Sequence, residues 1–310
     1  MISPDTKSIT VLSVSFYSSF HLKHLFTNLV EKADHPENIQ FLIVDNTNGK
    51  DNGLKESLQD VIDLTIINND GRIRQRSKSH ASALDLGLKN VETEFTLIVD
   101  PDIHVFKSGW DTFCLNPLSK NEKSVLGASY PIWKLGKVHD YPSVVFMFFK
   151  TGLVQASGNT FYPFPSTPGR IWNSVIRKIV RLGGIASKNR LDHFRFLRTF
   201  CGWLENLTGI TSPDTGKEII ELFRSTGFQS IVFDTPYSRD LLEIGRDNFA
   251  AIAREFELYI HENEPILTHM YSSGVFHWKT FKGSDFKYWQ QLINKVETVL
   301  STYKKKKHTK

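Results

Sequence analysis

The chain has 310 residues, of which 40% are hydrophobic, and a formal net charge of +5, which is enough apolar material for one large or two modest domains. Its longest apolar runs, such as residues 143–149, fall short of the ~20 residues a membrane-spanning helix needs. The N-terminus carries no charged-then-apolar leader, so neither export nor membrane insertion is expected. Cys114 and Cys201 are the only cysteines. This excludes a disulfide framework and a cysteine-rich zinc site, and a reducing cytoplasm is the expected setting. Asn206-Leu207-Thr208 matches a glycosylation acceptor but has no secretory context.

Taken in chain order, the first half alternates short apolar strands with helical stretches, the pattern of an α/β sheet. A buried strand is predicted over residues 9–16. Ser18 or Ser19 then caps a helix reaching Lys32, with Leu22, Leu25, Phe26 and Leu29 on one face. A second strand over 39–44 closes in the turn cluster Asp45-Asn46-Thr47-Asn48-Gly49. A helix over 54–61, a third strand over 64–67, and a helix over 79–90 that packs through Ala81, Leu84 and Leu88 lead to a fourth strand over 95–99.

Residues 124–149 read as strand-rich, and 152–168 as a Pro/Gly/Ser-rich loop able to cover a pocket. Around 171–180, Ile171, Trp172, Val175, Ile176, Ile179 and Val180 recur at helical spacing among cations. Between residues 170 and 198, Arg170, Arg177, Lys178, Arg181, Lys188, Arg190, Arg195 and Arg198 face the single acid Asp192. That composition suits an interfacial helix on an anionic membrane, or an ordinary helix with its apolar face in the core. No nucleic-acid-binding signature accompanies the cations. A helix over 214–226, a strand over 229–233 and an amphipathic helix beyond residue 285 follow, with the lysine-rich end, 304–310, expected as a disordered basic tail.

The run Phe95-Thr96-Leu97-Ile98-Val99-Asp100-Pro101-Asp102 carries the chemistry. An apolar strand ends in two carboxylates one residue apart, and on extended backbone such residues face the same side. Paired oxygen donors suit Mg²⁺ or Mn²⁺, whose remaining positions are commonly filled by water and phosphate. A solvated turn around Pro101 is the alternative. The pair falls at the carboxyl edge of the sheet, where open α/β folds bind ligands. No Gly-x-Gly-x-x-Gly follows the first strand and no Walker loop is present, which disfavours dinucleotide and P-loop enzymes.

In order and spacing, four segments resemble the GT-A nucleotide-sugar glycosyltransferases, family 2 type. These are the opening strand Thr10-Val11-Leu12-Ser13-Val14-Ser15-Phe16-Tyr17, Ile43-Val44-Asp45-Asn46, the helix near His80-Ala81-Ser82-Ala83-Leu84-Asp85-Leu86-Gly87, and Asp100-Pro101-Asp102. The likeness spans roughly residues 8–275. It implies a Rossmann-like nucleotide-diphospho-sugar transferase fold, an α/β architecture with a central mixed sheet flanked by helices. The implied division is a donor-binding half at 1–120, an acceptor-binding and catalytic half at 121–285, and a C-terminal helix with basic tail at 286–310.

By the same resemblance, Asp45 hydrogen-bonds the donor's base, against an Asx-turn as the alternative. Asp70 and Gly71 line the nucleotide pocket, Arg72, Arg74 and Arg76 reach phosphate, and His80 meets the diphosphate or else caps its helix. Asp102 ligates the metal (Mn²⁺ or Mg²⁺) directly, and Asp100 reaches the ribose, the metal or a bound water. His269, in Leu267-Thr268-His269-Met270-Tyr271-Ser272-Ser273-Gly274, completes the metal shell, with His277 competing and His104 a surface residue or a further contact. Asp214, in Ser212-Pro213-Asp214-Thr215-Gly216-Lys217-Glu218, is the candidate catalytic base, an N-cap the alternative and Glu205 the reserve. Pro213 stands where the family carries a paired acid. Among the aromatics Trp133, Tyr141, Phe161, Tyr162, Phe164, Trp172 and Trp203, each is expected in the core.

The implied activity is transfer of a sugar, with inversion, from a nucleoside-diphosphate-sugar to a hydroxyl of a saccharide or lipid-linked acceptor. Peripheral contact with the inner face of an anionic membrane is the alternative that the basic segment at 170–198 offers to an ordinary core helix, and no nucleic acid is expected. A nucleotidyltransferase and a catalytically silent carbohydrate-binding protein of the same fold are the rivals.

Overall fold

A computed structural model describes residues 7–70, 76–163, 167–270 and 286–308, and the side chains of 76, 167–170 and 303–308 lie outside the description. The first half contains β1 (Ile9–Ser15), α1 (Ser19–Lys32), β2 (Ile39–Asp45), α2 (Gly53–Ser57), β3 (Leu64–Asn68), α3 (Arg76–Lys89), β4 (Phe95–Val99), β5 (Ile103–Val105) and α4 (Trp110–Lys120). The middle contains β6 (Ser124–Ala128), β7 (Phe146–Lys150), α5 (Thr151–Gln155), α6 (Thr167–Val180), α7 (Lys188–His193), α8 (Arg195–Thr208) and α9 (Lys217–Ser225). The chain then forms β8 (Gln229–Phe233), α10 (Ser238–Glu243), α11 (Asp247–Glu255), β9 (Glu257–His261), β10 (Glu264–His269) and α12 (Phe286–His308).

Seven strands form the central sheet in the order β3-β2-β1-β4-β7-β6-β8. The first four are parallel, β7 runs antiparallel to both neighbours, and β6 and β8 pair in parallel. The expected mixed sheet flanked by helices is therefore present. Its two faces are written in the period-2 alternation of the strands. Ile9, Val11, Phe41, Ile43, Leu97 and Val99 pack with α1 and α4 on one side. Leu12, Val14, Leu42, Val44 and Ile98 pack with α3 and α9 on the other.

Gly127 lets β6 and β7 approach. At its φ of +154°, a Cβ would stand 1.9 Å from the Phe146 carbonyl oxygen, so backbone would have to move. Gly127→Ala is expected to destabilise the protein by about 3 kcal/mol, seen as a lowered denaturation midpoint at unchanged m.

Several expectations on boundaries are corrected. The helix over 54–61 is only the short α2, because Leu54 and Leu58 are its only buried apolar anchors. Ser18 stands before α1, but its hydroxyl bonds the Phe16 carbonyl rather than a helix N–H. Residues 214–216 precede α9, which begins at Lys217 after Gly216 at φ +90°. The expected 152–168 loop starts inside α5, and residues 164–166, with Phe164, lie outside the description. The basic tail is not separate, since α12 continues through His308. Lysine is a good helix former and extends a helix already anchored by Trp289, Leu292, Ile293 and Val296.

A second, three-stranded sheet of order β5-β10-β9 was not anticipated. Its hairpin turns on Glu262 and Asn263, both left-handed at φ 48° and 66°, the backbone of a two-residue primed turn. Replacing that pair by Asn-Gly is expected to stabilise the fold by about 1 kcal/mol, read from thermal unfolding.

Candidate active site

The small sheet builds the site. Asp100 leaves β4 with its N–H donating to the Val145 carbonyl at 3.0 Å. Two residues on, β5 turns away from the main sheet and pairs with β10, setting His269 opposite Ile103. The Met270 N–H donates to the Asp102 carbonyl at 2.9 Å and locks that register. Ligand atoms of Asp100, Asp102 and His269 consequently lie within 4.8 Å of one another. The His269 Nε2 is 3.2 Å from Asp102 Oδ1 and 3.7 Å from Asp100 Oδ2.

Behind His269 stands a buried charge relay. Its Nδ1 is 2.9 Å from Glu257 Oε2, Glu257 is ion-paired with Lys134 at 2.7 Å, and the Tyr259 hydroxyl donates to the same carboxylate at 3.0 Å. A carboxylate on the outer imidazole nitrogen fixes ring orientation and tautomer, as behind many metal-ligating histidines. Burial by itself would lower the His269 pKa, but Asp102 and Glu257 raise it to about 10. Burial would raise the Glu257 pKa, but Lys134 and His269 bring it down to about 2. Burial pushes the Asp100 carboxyl up, with Asp102 adding and His80 and His269 opposing.

These shifts fix a pH dependence for the metal-free protein. The stabilisation held by His269 is complete below its ordinary 6.5 and is lost as pH rises through about 10. That held by Glu257 is complete above its ordinary 4.5 and is lost as pH falls through about 2. Thermal stability is therefore expected to decline on the alkaline side from neutral upward, and His269→Gln is expected to flatten that limb while lowering stability by roughly 3 kcal/mol.

On the other side of the pair, His80 on α3 brings Nε2 to 3.8 Å from Asp100 Oδ1, and its field also reaches Asp214. Asp214 is ion-paired with Lys137, and its Oδ1 accepts the Thr215 N–H at 2.9 Å. Burial would raise the Asp214 carboxyl, but Lys137 holds it below the usual carboxylate range. Asp214 is not the N-cap of α9, which is Gly216. The reserve candidate Glu205 accepts the Gly136 N–H and lies 3.2 Å from His139 Nε2, so its carboxylate is committed to bracing that loop.

Asp45 sits at the end of β2 as expected, but its buried carboxylate is engaged locally. Oδ1 accepts from the Thr47 N–H and hydroxyl at 2.9 and 2.7 Å, and Oδ2 accepts from the Gly49 N–H at 2.9 Å. These are the bonds of an Asx-turn. Beside it, Asn69 donates to Asn46 at 2.7 Å and Asn46 donates to Ser79 at 2.9 Å, tying the ends of β2 and β3 to α3. Asp70 follows β3 and is exposed, its N–H bonded to Asn69 Oδ1 at 3.1 Å. Gly71, Arg72, Arg74 and His277 lie outside the described residues, as does the side chain of Arg76.

His104 is neither a surface residue nor a site residue. It is buried, with Nδ1 3.2 Å from His24 Nε2 and Nε2 3.1 Å from Glu297 on α12. Sequence reasoning missed Glu257, Lys134 and Lys137. Glu257 alone left a signal, an acid set in the apolar run Phe256-Glu257-Leu258-Tyr259, where burial demands a partner. A cavity of about 690 Å³ bordered by Lys107, Arg246 and Leu300 is lined by none of the site residues.

No family model and no curated protein matches the chain. Among solved structures it is similar to the mannosyltransferase PcManGT from Pyrobaculum calidifontis in complex with GDP-Man and Mn²⁺, at 16% identity over 51% of this chain and 49% of that one, with a TM-score of 0.40. It is also similar to S. aureus TarS 1–349, at 16% identity over 50% of each chain and a TM-score of 0.38. The same TarS segment in complex with UDP-GlcNAc matches at 17% identity, over 50% of this chain and 48% of that one, with a TM-score of 0.38. The chain spans about half the length of the structures it matches. The chemistry of the site is accordingly read from its own residues.

Proposed function

We propose that this chain is a GT-A-type glycosyltransferase of family 2 character that moves a sugar from a nucleoside-diphosphate-sugar to a hydroxyl of a saccharide or lipid-linked acceptor, with inversion and with help from a divalent metal. The observation that carries the reading is the convergence of Asp100, Asp102 and His269 at the carboxyl edge of a mixed sheet. Two carboxylate oxygens and one imidazole nitrogen fit Mn²⁺, which accepts a nitrogen ligand more readily than Mg²⁺ does. Bound there, the cation would neutralise charge on the departing nucleoside diphosphate.

The protein's own residues do the rest of the work in this reading. Glu257 and Lys134 orient His269, and Asp102 and Asp100 present their oxygens to the donor. His80, between Asp100 and Asp214, carries a hydrogen-bonding edge to the diphosphate. The loops after β2 and β3, with Asp45 as shaper and Asp70 at the rim, form the base side of the pocket. Asp214 faces the acceptor as the base. Its pairing with Lys137 keeps the carboxylate ionised, the form that accepts a proton, at the expense of basicity. Residues 1–120 serve as the donor half and 121–285 as the acceptor half, and the setting is cytoplasmic. Among the described residues, no helix is long and apolar enough to cross a membrane.

The test is a thermal-shift and turnover screen of UDP-, GDP-, dTDP- and CMP-sugars with and without Mn²⁺. A Mn²⁺-dependent rise with one base, followed by release of its nucleoside diphosphate, is the expected result. Pyrophosphate release would replace the reading with nucleotidyl transfer, and donor binding without turnover across a broad acceptor panel would replace it with a silent binding protein.

A further inference from the structure

The amphipathic segment that the sequence left open between core helix and membrane helix has its apolar face outside. On α6, Ile171, Trp172, Val175 and Ile179 are exposed, Trp172 by 66%. Ile176 and Val180 instead face a small core shared with Leu197 and Cys201 of α8. The neighbouring α8 repeats the arrangement. Phe196, Phe200, Trp203 and Leu207, spaced four, three and four residues apart, form an uncovered stripe in which Phe196 is 72% and Trp203 55% exposed. The Phe200 and Trp203 rings stack at 6.0 Å. Two adjacent helices thus each turn a narrow face inward and a broad aromatic and aliphatic face outward. Such uncovered apolar surface marks an interaction site.

Charge decides the occupant. Lys178, Arg181 and Arg190 are exposed on α6, the segment after it and α7, and no ion pair involves them among the described residues. Two other cations of the cluster are engaged within the fold. Lys188 donates to the Ala253 and Phe256 carbonyls, and Arg198 pairs with Asp240. Exposed Trp, Phe and Ile bordered by Lys and Arg is the composition of a helix lying in the plane of an anionic bilayer.

We propose that α6 and α8 form a membrane-docking face that lies in the headgroup region of an anionic lipid surface. The proposal adds a surface to the reading of the acceptor as lipid-linked and rests on that reading only for its purpose. Arg177 of α6 donates to Ser212 Oγ at 3.3 Å, two residues before Asp214, so a docked face holds the acceptor side of the candidate site near the lipid headgroups.

Co-sedimentation of the full chain with phosphatidylcholine vesicles, with and without phosphatidylglycerol, tests this without nucleotide or sugar, so its outcome is separate from that of the glycosyl-transfer reading. Binding is expected only with the anionic lipid. Trp172→Ser combined with Trp203→Ser should weaken it by more than about tenfold, and Lys178→Glu combined with Arg181→Glu by more than about 25-fold, with unchanged melting temperatures as the folding control. The proposal is overturned by absence of binding to anionic vesicles. It is equally overturned by binding that the aromatic variants leave intact, or by a dimer in sedimentation velocity that those variants dissociate while vesicle binding is absent, which would make a second copy the occupant.

Discussion

Asp102→Asn is expected to abolish the Mn²⁺-dependent thermal shift given by the cognate nucleotide and to lower turnover by about a thousandfold or more. The substitution keeps the size of the side chain and its backbone bond to Met270, so β5 and β10 stay in register. It removes the carboxylate nearest the Nε2 edge of His269, at 3.2 Å, and with it one of two anionic oxygens of the donor set. In the metal-free protein the same change removes the group that most opposes the effect of burial on His269, so the alkaline decline in stability should shift to lower pH. Isothermal titration with Mn²⁺ and nucleotide, beside a pH series of melting temperatures, checks both. A variant that retains metal-dependent nucleotide binding would remove Asp102 from the metal set.

Asp214→Asn is expected to reduce kcat by about 10²- to 10⁴-fold, the range of general-base assistance, while leaving Mn²⁺-dependent nucleotide binding close to wild type. Lys137→Met supplies the discriminating comparison. It leaves Asp214 in place but removes the cation that lowers its pKa. If Asp214 is the base, the acidic limb of the kcat profile should move to higher pH in that variant, because the group's pKa is then set by burial. A structural role for Asp214 would lower stability in both variants without moving the pH profile.

How much was legible from the residues differs by element. β4 and β8 were found to the residue, and β1, β2 and β3 within one, because an apolar run bounded by turn residues defines a strand by local chemistry alone. Asp100 and Asp102 were legible for the same reason, as polar residues ending such a run. The second sheet was not legible. β5 is three residues long and β10 gains its meaning only by pairing with it, so neither carries a periodicity that a window can register. The exposed faces of α6 and α8 were ambiguous for a different reason. A helical apolar stripe is the same whether core or lipid covers it, and Trp172 and Trp203, expected inside, are outside.

By itself, the sequence determined the alternation of strands and helices, the two apolar faces of the central sheet, and the carboxylate pair at its edge, since period and turn chemistry are properties of neighbouring residues. Only the tertiary structure decided that His269 meets Asp102, that Glu257 and Lys134 stand behind it, that Lys137 neutralises Asp214, and that His104 turns away to Glu297. Those contacts join residues far apart in the chain, and their charges are set by burial and distance, which exist only once the two sheets have packed.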